Sequence, residues 1–218
     1  MKGYWYYLSQ YYDDLQHPAT ADFWICRVPF WSLLMLVAFY LLLVTKLIPA
    51  FMQNREAFEL RKTIFVYNVI MVLINFSVCL AIFIASLINL NRLSDLFITR
   101  YFAYDPFSVP PYISNYLYLG YFYYLSKFMD WGDSIFFALR KKQSHLSFLH
   151  LYHHAMVPIL GYCLLRLNPF VPATFMFVVC NGSVHVLMYS YYALSTFGPS
   201  IQKYLFWKKY ITLLQLGQ

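Results

Sequence analysis

LSFLHLYHHAMVPILGYCLL, residues 146–165, is the stretch that decides how this chain folds. A bilayer core is spanned by roughly 20 apolar residues of helix rising about 1.5 Å each, and this segment has that length with no Asp, Glu, Lys or Arg in it. Yet it holds His150, His153 and His154. Their i, i+3, i+4 spacing places three imidazoles on one helix face. Titratable groups are costly inside lipid, so three sharing a face mark a site rather than a packing accident.

Outward from this stretch the same character persists. The 218 residues are 61% hydrophobic, 22% aromatic and only 11% charged, where a soluble domain carries about a quarter charged residues. Apolar segments of spanning length lie at 30–48, 64–90, 112–139, 147–165 and 171–194, and a sixth opens near Tyr204 and is cut off at Gln218. The third has charges set into its second half. The expected fold is all-α: a polytopic membrane helix bundle with five complete spans and the start of a sixth. It forms one domain over 1–218, incomplete at its C-terminal end. Residues 1–27 are Tyr-rich and acidic, unlike a secretory signal peptide. Cys26, Cys79, Cys163 and Cys180 lack paired or metal-type spacing and read as small buried apolar residues. The glycosylation sequons at Asn75 and Asn181 fall within spans, where they are inaccessible.

Charge placement orients the bundle. Arg55, Arg61 and Lys62 follow span one, Arg140, Lys141 and Lys142 follow span three, and Lys203, Lys208 and Lys209 follow span five. The opposite side has Lys2, Arg27, Arg92, Arg100 and Arg166 among five of the nine acids. The positive-inside rule puts the first group in the cytosol and the N-terminus outside or in a lumen. Counted inward from the cytosolic charges, His150–His154 lie about 8–15 Å deep, His185 about 16 Å, Asp130 and Asp133 about 10–15 Å, and Gln215 about 9 Å. Asn68 falls near the same level. Polar residues scattered for packing reasons have no cause to share a depth, so this layer reads as one site.

Within the layer, Lys127, Asp130 and Ser134 share a face of span three, with Asp133 one turn from Asp130. A Lys–Asp pair neutralises two charges and leaves one carboxylate to orient an imidazole. On span five, Asn181, His185, Met188, Tyr189 and Tyr192 form one stripe. Gln215 adds an amide on span six, and the Arg140-Lys141-Lys142 and Lys208-Lys209 clusters stand at the mouth, suited to a phosphate-bearing ligand.

On these residues the chain resembles the ELO family, the very-long-chain fatty acid elongases of the endoplasmic reticulum. The likeness rests on HxxHH at His150, His153 and His154, on NxxxHxxMYxYY from Asn181 to Tyr192, and on TxxQxxQ from Thr212 to Gln218. Residues 54–60 and Tyr67-Asn68 also resemble the family's first cytosolic connection and second helix. The similarity runs from about residue 30 to the end. The family's K-x-x-E-x-x-D-T appears here as K-x-x-D-x-x-D-S, with Asp130 one methylene shorter than Glu and Ser134 lacking the methyl of Thr. Members have seven spans and a basic cytosolic tail.

The resemblance implies a condensing acyltransferase that joins a long-chain acyl-CoA to malonyl-CoA, releasing CO2 and CoA and giving a 3-oxoacyl-CoA two carbons longer. It implies an endoplasmic reticulum membrane protein with a lumenal N-terminus. Its partners would be the ketoreductase, dehydratase and enoyl reductase of the cycle, with homo-oligomerisation left open. No metal, no other cofactor and no nucleic acid is expected. Neither Cys163 nor Cys180 lies on a polar stripe, so imidazole is the expected nucleophile, on His153 or His185, with the other histidines as general acid and base. Asp130 and Asp133 would orient them, Asn181 and Gln215 would donate to oxyanions, and Lys127, Tyr189, Tyr192, Arg140, Lys141, Lys142, Lys208 and Lys209 would bind substrate. A membrane di-iron desaturase also carries HxxHH boxes, but resembles a cluster of about eight His ligands; six histidines are too few. A non-catalytic transporter is the third class, and no inverted repeat favours it.

Overall fold

The computed structural model describes residues 11–88, 111–170 and 172–216 of the chain. Lys2, Arg92, Arg100, Val171 and Gln218, the last two residues of the expected second span, and the sequon-free stretch between spans two and three lie outside these.

Helix α1 (Phe30–Met52) follows Pro29 and contains a widened turn at Leu43–Leu47, where the Ile48 N–H reaches back to Leu43 O. That turn sits directly before Pro49, whose missing N–H already interrupts the ladder. The span therefore runs past the expected end at 48. Helix α2 (Arg61–Ile88) crosses back. Leu73, Phe76 and Phe83 point outward from it, while Asn68 and Asn75 are fully buried. Apolar outside and polar inside is the arrangement of a helix in lipid.

The expected third span is not one helix. Helix α3 (Pro111–Met129) stops at Asp130 and α4 (Trp131–Leu139) continues in a new register. At the join the Asp133 N–H bonds Asp130 O instead of Met129 O. Helix α4 ends in a Schellman turn: Lys142 N bonds Phe137 O, Lys141 N bonds Ala138 O, and Lys141 takes the left-handed conformation at φ 54°. Helix α5 (Phe148–Leu167) begins at Ser147, whose hydroxyl accepts the His150 N–H. Helix α6 (Pro172–Ser195) and the short α7 (Lys208–Leu216) complete the bundle.

Three of these helices, α1, α2 and α5, are long and apolar enough to cross a membrane. The α3–α4 pair and α6 are the expected spans three and five, and they carry most of the polar layer. Helix α6 packs along α2, with Cys79 against Val179 and Phe65 against Phe197, so the two run antiparallel. A Cβ on Gly182 would lie 2.7 Å from Cys79 Sγ, which is why glycine stands at this closest approach.

The charges away from the basic end depart from the sequence reading. Arg166 is not a loop residue: it lies in the last turn of α5, 2% exposed. The arm of residues 11–29 folds over it. Its guanidinium donates to Cys26 O, to Tyr12 O at 3.1 Å and to Asp13 Oδ1 at 2.8 Å, and stacks 3.8 Å from the Tyr12 ring centre. The Tyr12 and Tyr162 hydroxyls meet, and Tyr162 donates to Val28 O. None of the four cysteines is in a disulfide. Cys26 is buried as expected, but Cys180 is exposed on the outer side of α6, where a small apolar residue suits lipid as well as a core.

Candidate functional site

Two adjoining polar groups sit in the bundle, divided by α4. On this helix Asp130 and Asp133 form one stripe and Trp131 and Ser134 another, about 100° apart. The first stripe faces α6, the second faces α1 and α5.

Towards α6, Lys127 is 4% exposed and its three N–H donors meet three acceptors: Asp130 Oδ2 at 2.9 Å, Asn181 Oδ1 at 3.4 Å and His185 Nδ1 at 3.4 Å. The ammonium also lies 4.3 Å from the Tyr123 ring centre. Tyr123 donates to Asn181 Oδ1 at 2.5 Å, which fixes the orientation of that amide. Tyr189, with no exposure, places its hydroxyl 3.0 Å from Asp130 Oδ1 and 2.8 Å from Asp133 Oδ2. Every one of Lys127, Asp130, Asp133, Asn181, His185 and Tyr189 is buried.

This network alters two sequence expectations. An Asp–His hydrogen bond was expected to set an imidazole tautomer; His185 Nδ1 lies 3.6 Å from Asp130 Oδ2, beyond hydrogen-bond range, and Lys127 addresses that nitrogen instead. A lysine can only donate, so His185 Nδ1 is an acceptor. Tyr189 was expected to meet substrate, but its single proton is committed between two carboxylates. The reason is the i, i+3 spacing, which puts both acids on the face towards α6, where Tyr189 meets them.

Towards α5, the HxxHH turn is held from outside its own helix. Position 158 is proline, so no backbone N–H can reach His154 O. Trp131 Nε1 supplies that donor at 2.8 Å. Trp131 stacks on Tyr40 at 4.3 Å and 12°, and the Tyr40 hydroxyl meets Ser134 Oγ at 2.7 Å. Ser134 Oγ in turn meets His150 Nε2 at 2.8 Å. The His150 and His154 rings lie 4.3 Å apart and the His153 and His154 rings 5.6 Å. The other freed carbonyl, Met129 O at the α3–α4 join, accepts from Tyr67 at 2.9 Å. Tyr67 can lie there because residue 132 is glycine: a Cβ would come within 2.9 Å of its ring.

The remaining candidates are peripheral to this core. Gln215 donates to Met188 Sδ at 2.9 Å, and Tyr192 lies half-buried beside Tyr189. Lys141, Lys142, Lys208 and Lys209 are exposed at the basic end, with Arg140 half-buried and Lys141 reaching Gln53 O. His145 stacks on Phe137 there, and burial, then Lys142, Lys208 and Arg140, hold its imidazole below the usual range. Asn68 is buried, and neither end of its amide finds a hydrogen-bond partner. Among the described residues no three His, Cys, Asp or Glu side chains converge in a metal-ligating group.

Sequence reasoning gave no site role to Tyr40, Trp131, Tyr123 or Tyr67. For Trp131 a signal existed: a proline four residues after His154 announces a carbonyl that needs a donor from another helix. For Tyr67 the signal was the Tyr67-Asn68 likeness to the family, which carried no role; Tyr40 and Tyr123 do not stand out among 22 tyrosines.

The GNS1/SUR4 (ELO) family model matches residues 25–218. The chain is 35% identical over 214 residues to a very long chain fatty acid elongase of Aedes aegypti, covering 97% of this chain and 57% of the relative. It is 35% identical to very long chain fatty acid elongase 7 of Drosophila melanogaster, covering 97% and 64%, and 35% identical to elongase F of Drosophila simulans, covering 94% and 74%. The chain belongs to the ELO family. It spans 57% and 64% of the length of the first two of these curated relatives.

Proposed function

We propose that this protein is a condensing enzyme of fatty acid elongation. It joins a long-chain acyl-CoA to malonyl-CoA with loss of CO2, and the whole of 1–218 belongs to one elongase domain. The observation that carries this reading is the burial of Lys127, Asp130, Asn181, His185 and Tyr189 in one connected network beside the HxxHH turn, in a chain of the ELO family. Buried titratable groups in a membrane bundle are a functional site by default.

In the proposed reaction, an imidazole nitrogen of His153 or His185 attacks the acyl thioester. A C–N bond forms, the C–S bond breaks, and CoA leaves as the thiol with a proton from a neighbouring imidazole. Malonyl-CoA then loses CO2, and the resulting enolate carbon takes the acyl group as the C–N bond breaks. Asp130 orients His185 through Lys127, and Asp133 holds Tyr189. Asn181 and Gln215 donate to the developing oxyanions. Arg140, Lys141, Lys142, Lys208 and Lys209 bind the CoA phosphates at the basic end, which faces the cytosol, with the N-terminus in the lumen of the endoplasmic reticulum. Reduction and dehydration of the 3-oxo product require partner enzymes of the cycle.

Purified protein given labelled malonyl-CoA and a panel of acyl-CoAs should release CO2 and form 3-oxoacyl-CoA. A folded His153→Ala protein should not. Release of neither product by the parent protein overturns the reading. Intact mass spectrometry with acyl-CoA alone should show an acyl adduct. Elongation without any adduct replaces the covalent route with a sequential one in which histidine acts as base.

A further inference from the structure

The hydrogen-bonded row Tyr40–Ser134–His150 has a direction that its protons dictate. Tyr40 is 2% exposed and Ser134 has no exposure, so each hydroxyl proton needs an acceptor inside the protein. The Tyr40 hydroxyl meets Ser134 Oγ, and Ser134 Oγ meets His150 Nε2. Were the row to run from imidazole to phenol, Ser134 would give its proton to Tyr40, and the phenolic proton would face no acceptor among the described residues. A phenol is also a better donor than an aliphatic hydroxyl. The row therefore runs from Tyr40 to Ser134 to His150, and it ends on the Nε2 lone pair.

The geometry points to Tyr40 and Ser134 as positioning residues that hold His150 in its Nδ1–H tautomer, with Nε2 committed as an acceptor, so that His150 takes no acyl group. This rests on the elongase reading only for its kinetic consequence. A second contact fixes the same turn: Trp131, stacked on Tyr40, holds His154 O. One stacked pair on α1 and α4 thus grips both the side chain of the first histidine and the backbone of the third. With its one lone pair spent, His150 leaves acyl transfer to His153 or His185. Tyr40 lies on α1, outside every motif of the chain, and it touches the site through Ser134 and Trp131.

The test is a histidine tautomer measurement. The protein is labelled with 15N-histidine in lipid nanodiscs, and the His150 signals are assigned by their loss in His150→Asn. The parent should show the hydrogen on Nδ1 and a hydrogen-bonded, bare Nε2. Ser134→Ala should move the His150 signals towards the Nε2–H form, while Ser134→Thr, which keeps the hydroxyl, should not. Tyr40→Phe leaves the Ser134 proton no acceptor but Nε2, so it should keep the tautomer and weaken the hydrogen bond to the bare nitrogen. His150 carrying its hydrogen on Nε2 in the parent, or signals unmoved by Ser134→Ala, overturns the proposal. Circular dichroism confirms that each variant is folded. If the elongase reading also holds, Tyr40→Phe should lower kcat by about ten-fold with KM little changed, below the 10²- to 10⁴-fold loss of an acid–base group itself. Peptide mapping of the acyl adduct should find none on His150; an adduct there overturns the assignment. An inactive parent with the Nδ1–H signature separates failure of the elongase reading from failure of this one.

Discussion

Among the described residues the bundle buries two side-chain cations, Lys127 and Arg166, and they are satisfied in different ways. Arg166 meets two backbone carbonyls and one carboxylate, that of Asp13, whose side chain is 74% exposed. Lys127 meets a carboxylate 3% exposed, an amide and an imidazole, and a second buried carboxylate stands one hydroxyl away. The planar guanidinium, with donors in a fixed fork, is spent mainly on backbone carbonyls, which cannot ionise, with one exposed carboxylate beside them. The ammonium, a compact charge with three rotatable donors, is spent on groups that can each exchange a proton or a partner. A buried cation is thus not a site in itself. It becomes one when its partners are chemically mobile, as Asp130 and, from α6, Asn181 and His185 are.

The strongest way to break this contrast is Lys127→Met. It leaves Asp130 and Asp133 in the interior with no cation, and removing one partner of a buried pair costs about 3–5 kcal/mol. The thermal midpoint in detergent should fall sharply and elongation should vanish. Lys127→Met combined with Asp130→Asn removes the pair together and should recover most of the stability with none of the activity. Recovery of both would mean that the network is packing alone.

Arg166→Met is the counterpart for the other cation. Two carbonyls lose their donor, at about 1–3 kcal/mol for a buried unsatisfied group, and the arm of residues 11–29 should become sensitive to protease. Turnover per folded molecule should stay near that of the parent. Loss of turnover at full stability would move Arg166 into the machinery and collapse the distinction between the two cations.

How much of this the sequence disclosed follows the same division. Helix α5 and the polar layer were legible because lipid forces polar residues inward, so His150, His185, Asp130 and Lys127 stood out against an apolar background. The family followed from the spacing of those same residues. The break at Asp130 was not legible, since the run around Trp131 and Gly132 reads as continuous helix, and what breaks it is the engagement of Met129 O by Tyr67 on another helix. Arg166 read as a charge outside the bilayer because span four was ended at residue 165, and its burial depends on an arm some 150 residues earlier. Contacts of that range leave no periodicity. Nor could spacing foretell that Lys127, rather than an aspartate, would address His185, because helix rotation about α4 decides it.

Trp131→Phe sharpens the comparison within the site. It removes one N–H and leaves His154 O buried without a donor, at about 1–2 kcal/mol, while the stack on Tyr40 persists. Pro158→Ala returns a backbone donor to the same carbonyl. The two substitutions should therefore couple: Pro158→Ala should recover stability in the Trp131→Phe protein by about 1 kcal/mol more than in the parent. Strict additivity in a double-mutant cycle of midpoints would show that the indole does not stand in for the missing N–H.

Asp13→Asn is the smallest change and the one that tests what kind of partner Arg166 has. The carboxylate is mostly in water, and exposed ion pairs contribute about 0.2–1 kcal/mol, so the midpoint should move by less than 1 kcal/mol and less still at high salt. The guanidinium retains Cys26 O, Tyr12 O and the Tyr12 ring, none of which titrates. Stability attributable to this clamp should accordingly depend little on the carboxylate, in contrast to the Lys127 network, which is built on one. A fall well above 1 kcal/mol in Asp13→Asn would make Arg166 dependent on its carboxylate, and the two buried cations would then differ only in place.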